Sequence, residues 1–333
     1  MTTYDPFLVS LGWNEFFQAS FDQLQEPDIH PARIIGQGRG HYTIQFAHGN
    51  IIDAEITTKL HDDSKLTDDF PAVGDWIAFA HGHGSKKASI HAVLDRKSTL
   101  QRKRAGNKKT QNLVTNVETL FIVTSMTEDF DLLRLGRYLD IGKDSGAVCA
   151  FILTKADLCD RPEHFVGELE KNFPGIAVIA ISSSETASMD ILKPYFLPGM
   201  TSVLLGSSGV GKSTLTNYLQ GAGTQKTGGL SGERGRHTTT ARNIIFTRWG
   251  GLVIDTPGMQ EVLAHESTED LGSSYPEIEA LMLQCKFTNC RHQNDPGCAV
   301  TAALKNGSLD ADSWARYQKA LSKKAVIKKK WEK

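Results

Sequence analysis

Apolar residues change their spacing twice along the chain. The segment GWNEFFQASFDQL predicts a short amphipathic helix within residues 1–30, and brief apolar runs separated by Gly and Asp turns then occupy residues 31–95. Several short strands in about 65 residues are typical of a small closed barrel. We therefore predict an N-terminal domain over residues 1–105, built on a β-barrel of the OB-fold type. Such barrels often bind RNA, although a purely structural barrel would have the same strand pattern.

From about residue 110, apolar runs alternate with longer amphipathic stretches. This alternation predicts a central α/β domain over residues 106–265, with a mostly parallel sheet covered by helices on both faces. After about residue 265 the pattern favours helices around a cysteine-rich stretch, which predicts a third, helical domain over residues 266–333. The predicted strands are 119–125, 148–154, 176–182, 202–206, 243–249 and 251–256, and the predicted helices are 131–145, 163–173 and 212–221.

One segment of the central domain has the form of a phosphate-binding loop. SVLLGSSGVGKSTLTNYL matches G-x-x-x-x-G-K-[S/T], with a strand-like run before it and a helical run after it. Its glycines allow backbone N–H groups to point at phosphate oxygens, and the following helix adds its positive N-terminal end. We expect Lys212 to reach the β- and γ-phosphates of a nucleotide and Ser213 to ligate Mg²⁺. The predicted phosphate-loop contacts are Gly206, Ser207, Ser208, Gly209, Val210, Gly211, Lys212, Ser213 and Thr214.

Two later segments are predicted to complete the phosphate site. LVIDTPGM places Asp255 at a strand end, where its carboxylate would hold Mg²⁺ through water, and Gly258 three residues later, where its N–H would contact the γ-phosphate. The glycine-rich stretch 224–240 ends in a run of threonines. Thr239 is the favoured Mg²⁺ ligand, with the neighbouring threonines as alternatives, and a merely flexible surface loop is the alternative interpretation.

The stretch FILTKADL (151–158) resembles the Asn-Lys-x-Asp motif with which GTPases recognise guanine. Asp157 would accept hydrogen bonds from the guanine N1–H and exocyclic amine, a donor pair that adenine lacks. Thr154 replaces the usual asparagine, so we expect one amide cross-link between loops to be lost. The run IAISSSE (179–185) follows at the next strand end, where a GTPase places a backbone contact to guanine O6. The predicted base-binding residues are Thr154, Lys155, Ala156, Asp157, Ser182 and Ser183.

The order of these motifs differs from that of an ordinary GTPase. The base motif precedes the phosphate loop by about fifty residues, whereas the phosphate loop usually comes first. A circular permutation explains the order, because the pocket depends on where the strands lie in the sheet and not on their sequence along the chain. Permutation is tolerated where chain ends lie close together at the surface.

Three of the five cysteines fall close together near the C-terminus. CKFTNCRHQNDPGC places Cys285, Cys290, His292 and Cys298 in a C-x4-C-x-H-x5-C pattern. Three thiolates and one imidazole form a closed tetrahedral Zn²⁺ site, which is structural because no position is left for a catalytic water. We predict one zinc ion per chain, and a chance cluster is the alternative.

Composition and charge limit which classes of protein the chain can belong to. The formal net charge of −1 gives no overall sign of nucleic-acid binding. Basic residues are nevertheless concentrated in 96–110 and 316–333, as in an RNA-contacting surface or an ordinary solvated face. No apolar run approaches the roughly 20 residues of a membrane span, and the N-terminus lacks the character of a secretory signal. We expect a cytoplasmic monomer that does not contact membranes.

Taken together, the motifs resemble those of the ribosome small-subunit-dependent GTPase family (RsgA, also called YjeQ), whose members are circularly permuted bacterial GTPases. The resemblance covers almost the whole chain: the barrel, the permuted GTPase centre, GRHTTT, DTPG and the cysteine-rich motif. It implies GTP hydrolysis, stimulated by the small ribosomal subunit during its late maturation. The implied partners are GTP, GDP and the small subunit with its rRNA, and the implied cofactors are Mg²⁺ with the nucleotide and one structural Zn²⁺.

Two other functions are considered. The first is an RNA-binding assembly protein that uses GTP as a clamp and hydrolyses little of it. The second is a P-loop kinase or ATPase of small molecules, against which Asp157 and the Asp-x-x-Gly segment argue.

The residue after DTPG suggests how hydrolysis is controlled. Met259 stands where Ras-like enzymes carry a glutamine that orients the attacking water, and methionine cannot do so. We expect slow intrinsic hydrolysis, with the alignment supplied by a partner or by another residue. His237 is the candidate, and a solvated loop histidine is the alternative interpretation. The predicted catalytic residues are Lys212, His237 and Thr239.

Overall fold

A computed structural model of the chain describes residues 4–38, 41–67, 69–81, 87–103, 110–127, 129–221, 242–255, 276–287, 290–292, 295–311, 313–315 and 317–318. The chain divides into two compact units, Met1–Val262 and Leu263–Lys333. Across these described ranges, none of the helices has the length and apolar character that a bilayer crossing demands.

Two short helices begin the first unit, α1 (Pro6–Ser10) and α2 (Glu15–Asp22). Asp5 caps α1 by accepting hydrogen bonds from two backbone N–H groups, and Asn14 caps α2 by accepting one from the Phe16 N–H. Their apolar side chains bury against a strand of the barrel and a strand of the central sheet, so the helices join the two parts. The buried members of this cluster are Leu8, Leu11, Trp13, Phe17, Trp76, Leu94 and Leu252.

Five strands then close into a barrel, with the order β1-β2-β3-β5-β4 and a further pairing of β4 with β1. The β3–β5 pair is parallel, and the other neighbouring pairs are antiparallel. A helix, α3, lies between β3 and β4. This closed five-stranded arrangement confirms the predicted OB-type barrel. The elements are β1 (His30–Gln37), β2 (Tyr42–Phe46), β3 (Ile51–Ile56), α3 (Thr58–Thr67), β4 (Trp76–His81) and β5 (Ala88–Val93).

A two-stranded hairpin, β6 (Thr99–Lys103) and β7 (Thr110–Thr115), follows the barrel. It leads into a six-stranded array with the order β10-β9-β8-β11-β13-β12. Neighbouring strands of this array are parallel, except that β12 is antiparallel to β13. The strands are β8 (Thr119–Ser125), β9 (Val148–Thr154), β10 (Ala177–Ala180), β11 (Thr201–Leu205), β12 (Arg242–Phe246) and β13 (Leu252–Asp255).

Helices connect the parallel strands, as the sequence predicts. They are α4 (Leu132–Ser145), α5 (Pro162–Asn172), α6 (Thr186–Asp190) and α7 (Lys212–Gln220). The sheet core is apolar on both faces, and Phe121, Ile152 and Leu204 are among its buried side chains. Because β8, β9, β10, β11 and β13 run in one direction, the loops that follow them emerge at one edge of the sheet.

The barrel and the central sheet are physically continuous. Strand β1 pairs with β12 through Gly36↔Asn243 and Gln37↔Arg242, which joins both parts into one hydrogen-bonded sheet.

Arg33, also on β1, is almost completely buried. Its guanidinium donates to atoms from four different segments: the carbonyl oxygens of Leu11, Gly74 and Asn116, and Thr201 Oγ1. Burial lowers the pKa of Arg33 to about 10, against the opposing effect of two nearby carboxylates, so the group remains charged at neutral pH.

The second unit includes α8 (Pro276–Leu283) and α9 (Ala299–Lys305), and residues 313–315 and 317–318 are helical as well. Cys298 is the N-cap of α9, and its sulfur accepts a hydrogen bond from the Thr301 N–H. Tyr317 stacks on Trp314, and its hydroxyl lies 3.2 Å from the sulfur of Met282. These contacts surround the cysteine-rich motif with a small packed core.

Candidate functional site

The phosphate-type loop lies between β11 and α7, at the carboxyl edge of the sheet. A Cβ at Gly206 would lie 2.1 Å from the carbonyl oxygen of Val123 on β8, so only glycine permits this close crossing. Gly209 and Gly211 have φ values of +81° and +97°, in the left-handed region that favours glycine. The three glycines predicted to shape the loop are therefore required by its backbone.

Lys212, the first residue of α7, holds its side chain against this loop. Its Nζ donates to the carbonyl oxygens of Gly206 at 2.8 Å and Ser207 at 2.6 Å. Ser213 follows in the first turn of the helix and is exposed, as are Ser208 and Thr214. A cation, a hydroxyl and a helix N-terminus thus occupy one short segment, which is the chemistry that a phosphate group requires.

The base-type motif at the end of β9 touches this loop directly. Thr154 is buried, and its Oγ1 lies 2.6 Å from the carbonyl oxygen of Val210 and 3.2 Å from that of Thr124. A hydroxyl link therefore stands where the amide cross-link was expected to be lost. The shorter threonine hydroxyl still joins the two loops, because the carbonyl of Val210 lies within its reach.

The rest of the motif is organised by the serine-rich loop after β10. Lys155 takes a left-handed backbone conformation with φ +60°, and the Ala156 N–H donates to the Ile181 carbonyl at 3.2 Å. The Ser182 hydroxyl donates to Asp157 Oδ1 at 2.6 Å. That hydrogen bond lowers the pKa of Asp157, against a small opposing effect of burial, so its exposed carboxylate is ionised at neutral pH.

The serine loop also shows residues that the sequence did not identify. Ser188 accepts a hydrogen bond from the Ser182 N–H at 2.9 Å, and its own hydroxyl lies 2.9 Å from the Ser182 carbonyl. Ser184 donates its N–H to Ser182 Oγ at 3.1 Å. The Ser182 amide is thus already engaged, so Ser183, which is exposed, is the better candidate for a backbone contact to a base.

The remaining predicted phosphate residues are only partly described. Asp255 ends β13, which is parallel to and adjacent to the strand that carries the phosphate loop. Its backbone therefore lies at the same sheet edge as residues 206–213. Thr239, His237 and Gly258 lie outside the described residues.

The four predicted zinc ligands come together in the second unit. The candidate ligand atoms of Cys285, Cys290, His292 and Cys298 all lie within 4.8 Å of one another. His292 Nδ1 is 3.5 Å from the sulfurs of Cys285 and Cys298, and those two sulfurs are 3.9 Å apart. Tetrahedral zinc with metal–ligand distances of about 2.0–2.3 Å requires ligand separations of about 3.5–3.8 Å. The separations among Cys285, His292 and Cys298 are close to these values, and Cys290 lies near enough to complete a set compatible with zinc.

The local environment favours the thiolate form at Cys298 but not at Cys290, whose pKa burial raises to about 11. Burial acts to raise the pKa of Cys298, but hydrogen bonds from Thr301 and His292 outweigh it and lower that pKa to about 6. The indole of Trp314 packs edge-on against the His292 ring, with centroids 6.0 Å apart. Gly297, with φ +75°, supplies the turn before Cys298. These contacts orient the ligands before a metal binds.

Comparisons with known proteins agree with this geometry. A model of the RsgA GTPase family matches residues 93–265. A Vibrio vulnificus protein named small ribosomal subunit biogenesis GTPase RsgA 2 is 38% identical, over 98% of this chain and 90% of its own length. The Opitutus terrae protein named small ribosomal subunit biogenesis GTPase RsgA is 38% identical over 94% of this chain and 88% of its own. An RsgA 2 from Lactiplantibacillus plantarum is 40% identical, with the same two coverages.

Two solved structures share the fold. The crystal structure of YjeQ from Thermotoga maritima gives a TM-score of 0.54 at 22% identity, covering 89% of this chain and 99% of that one. The structure of YloQ, titled a circularly permuted GTPase, gives a TM-score of 0.50 at 22% identity and covers 92% and 98%. The predicted permuted fold is thereby confirmed. The match of the family model and the identity along nearly the whole length show that the chain belongs to the RsgA GTPase family, whose members hydrolyse GTP.

Proposed function

We propose that this protein binds GTP at the carboxyl edge of its sheet and hydrolyses it to GDP and phosphate on the small ribosomal subunit, during the late maturation of that subunit in the cytoplasm. One observation supports the nucleotide site above all others. The Thr154 hydroxyl lies 2.6 Å from the Val210 carbonyl, so the base-type motif and the phosphate-type loop are in direct contact despite their inverted order along the chain. The names of the three relatives support the ribosomal part.

In this site Asp157 accepts the two guanine donors, and the Ser182 hydroxyl holds its carboxylate by a hydrogen bond to Oδ1. Lys155 covers the base with its aliphatic stem. The amides of residues 206–213 surround the β- and γ-phosphates, and Lys212 exchanges its present carbonyl partners for phosphate oxygens. Ser213 and Asp255 hold the Mg²⁺ that accompanies GTP.

In the reaction a water oxygen attacks the γ-phosphorus, and the bond to the β–γ bridging oxygen breaks, leaving GDP and inorganic phosphate. Lys212 and the loop amides stabilise the charge that moves to the bridging and β-oxygens. Met259 cannot align the water, so turnover is slow until the ribosomal subunit binds. His237 or a group from the subunit then supplies the alignment, and Thr239 would be a ligand of the Mg²⁺ that neutralises phosphate charge.

The second unit holds one structural Zn²⁺ through Cys285, Cys290, His292 and Cys298, whose separations fit a tetrahedral site. The zinc keeps a small helical region folded and takes no part in hydrolysis. Basic residues of the stretches 96–110 and 316–333 contact rRNA phosphates, so we expect subunit binding to weaken steeply with salt.

Multiple-turnover GTP hydrolysis, measured with and without small ribosomal subunits, tests this function. We expect slow turnover alone, strong stimulation by subunits, and no competition from ATP. Subunit binding that depends on a non-hydrolysable GTP analogue, but without stimulated turnover, would favour the GTP-clamp alternative. Turnover of the His237→Ala variant that subunits stimulate normally would remove His237 from the mechanism.

A further inference from the structure

An acid and a base that belong to no nucleotide-binding motif lie against the phosphate loop. Asp129, between β8 and α4, accepts a hydrogen bond from the Ser207 hydroxyl, with Oγ and Oδ2 2.5 Å apart. The other carboxylate oxygen of Asp129 lies 3.0 Å from an Nη2 of Arg134, in the first turn of α4. The same Arg134 nitrogen also donates to the Asp129 backbone carbonyl. We propose that Asp129 and Arg134 form a neutral clamp that positions the phosphate loop for GTP.

The clamp reaches Lys212 through a single residue. Ser207 bonds to Asp129 with its hydroxyl and accepts from Lys212 Nζ with its carbonyl, at 2.6 Å. Any displacement of Ser207 therefore moves the carbonyl that holds the lysine. This connects α4, which contains none of the GTP motifs, to the cation that faces the phosphates. The inference rests on the proposed phosphate-binding role of residues 206–213.

Arg134 has a second effect, which is electrostatic. A carboxylate bonded to the phosphate loop repels a bound nucleotide, and the repulsion is stronger for GTP than for GDP because GTP carries more negative charge. Asp129 and Arg134 are 30% and 28% exposed, so solvent screens this repulsion only in part. Arg134 neutralises the carboxylate, so that Asp129 fixes Ser207 without weakening the binding of the triphosphate. Both residues are positioning residues, because they act through Ser207 and through charge and do not touch the reacting atoms.

Equilibrium binding of GTP and GDP to the full chain, with Mg²⁺, tests the clamp. In Arg134→Ala the carboxylate is unneutralised, and we expect about fivefold weaker GTP binding and about twofold weaker GDP binding. Asp129→Asn removes the charge but keeps the shape, so the ratio of GTP to GDP affinity should rise by about twofold above wild type. The double variant should recover the wild-type ratio. Lys143→Ala removes an exposed cation about 13 Å farther along α4 and should change neither affinity.

The two single variants should change the ratio of GTP to GDP affinity in opposite directions. This distinguishes the clamp from a pair of residues that merely stabilises α4. A structural pair would weaken GTP and GDP equally in both variants, with no recovery in the double variant, and that result would overturn the proposal. If Arg134→Ala does not fold, Asp129→Asn still tests the clamp, because a ratio of GTP to GDP affinity that is unchanged or lower than in wild type also overturns the proposal.

Lys212→Ala tests the phosphate site itself. If it weakens binding while Arg134→Ala does not, only the clamp is wrong; if neither weakens binding, the phosphate site is wrong and the clamp with it.

Discussion

The Oγ1 of Thr154 lies 2.6 Å from the carbonyl oxygen of Val210, across 56 residues of sequence. Thr154 ends the strand that precedes the guanine-type motif, and Val210 lies inside the phosphate-type loop. In a chain where these two motifs appear in inverted order, this hydrogen bond brings them into direct contact. It also explains how threonine can replace the usual asparagine, since its hydroxyl is long enough to join the two loops.

Removing that hydroxyl should weaken nucleotide binding. In Thr154→Val the buried carbonyl of Val210 loses its partner, which costs roughly 1–3 kcal/mol. We expect the affinities for GTP and GDP to fall together, by about tenfold, because the loop amides lose their alignment. Titration with a fluorescent guanine nucleotide measures both. Thr154→Ser keeps the hydroxyl and is the matched control; equal behaviour of the two variants would show that the contact is unimportant.

Asp157 should determine the choice of base. Asp157→Asn loses two charge-assisted hydrogen bonds to guanine, and GTP binding should weaken by about 2–3 kcal/mol, or roughly 50-fold. Weak binding of ATP should not change. Competition of ATP against GTP measures the preference, and Asp160→Asn, an exposed aspartate three residues later, provides the control. A preserved preference in Asp157→Asn would place guanine recognition elsewhere.

The ionisation of Asp157 predicts how the preference for GTP over ATP depends on pH. The hydrogen bond from Ser182 lowers the pKa of Asp157 below its ordinary value of 3.8. A lowered pKa means that the charged form is present above the ordinary value and is lost only as the pH falls through the lowered one. The preference for GTP over ATP should therefore be constant from pH 8 to pH 5. A loss of preference near pH 6 that Asp157→Asn abolishes would contradict this.

Zinc should stabilise the second unit and not the nucleotide site. In Cys290→Ser one of four ligands is weakened, and we expect less than one zinc per chain together with faster proteolysis of residues 276–318. GTP binding should persist. Native mass spectrometry gives the zinc content, and Cys159→Ser, outside the cluster, should retain one ion per chain. A wild-type chain that is metal-free yet protease-resistant would refute the site.

Arg33 should be essential for stability. Arg33→Met has nearly the same volume, but the buried carbonyl oxygens of Leu11 and Asn116 lose their Arg33 donor, and that of Gly74 keeps only the Asn116 amide. We expect a loss of roughly 3 kcal/mol in the free energy of unfolding of the first unit, measured with denaturant. Arg102→Ala, in the hairpin that follows the barrel, should cost well under 1 kcal/mol. Comparable losses in the two variants would contradict the role of Arg33.

Much of the central sheet could be predicted from sequence. The predicted strands 119–125 and 148–154 coincide with β8 and β9, because both faces of these strands are covered and each contains a continuous apolar run. Helix α3 was not predicted. Its sequence, TKLHDDSKLT, is mostly polar and has little of the apolar periodicity that marks a helix. The hairpin β6–β7 was missed as well, since its basic residues suggested only a charged surface.

The residues of the candidate site also fall into those that could be predicted from sequence and those that could not. Its motif residues could be predicted because glycine, lysine and aspartate at fixed spacings reflect local backbone chemistry. Asp129, Arg134 and Ser188 could not, because their contacts depend on the fold. The Asp129–Ser207 bond spans 78 residues, and no local spacing records it.

One site should bind both ends of GTP although the chain order is permuted. A crystal structure of the full chain with Mg²⁺ and a non-hydrolysable GTP analogue would show this. We predict the guanine N1–H within hydrogen-bonding distance of the Asp157 carboxylate, and the β- and γ-phosphates at Lys212 in the same complex. A nucleotide bound to one of these residues while the other faces a different cavity would contradict the account.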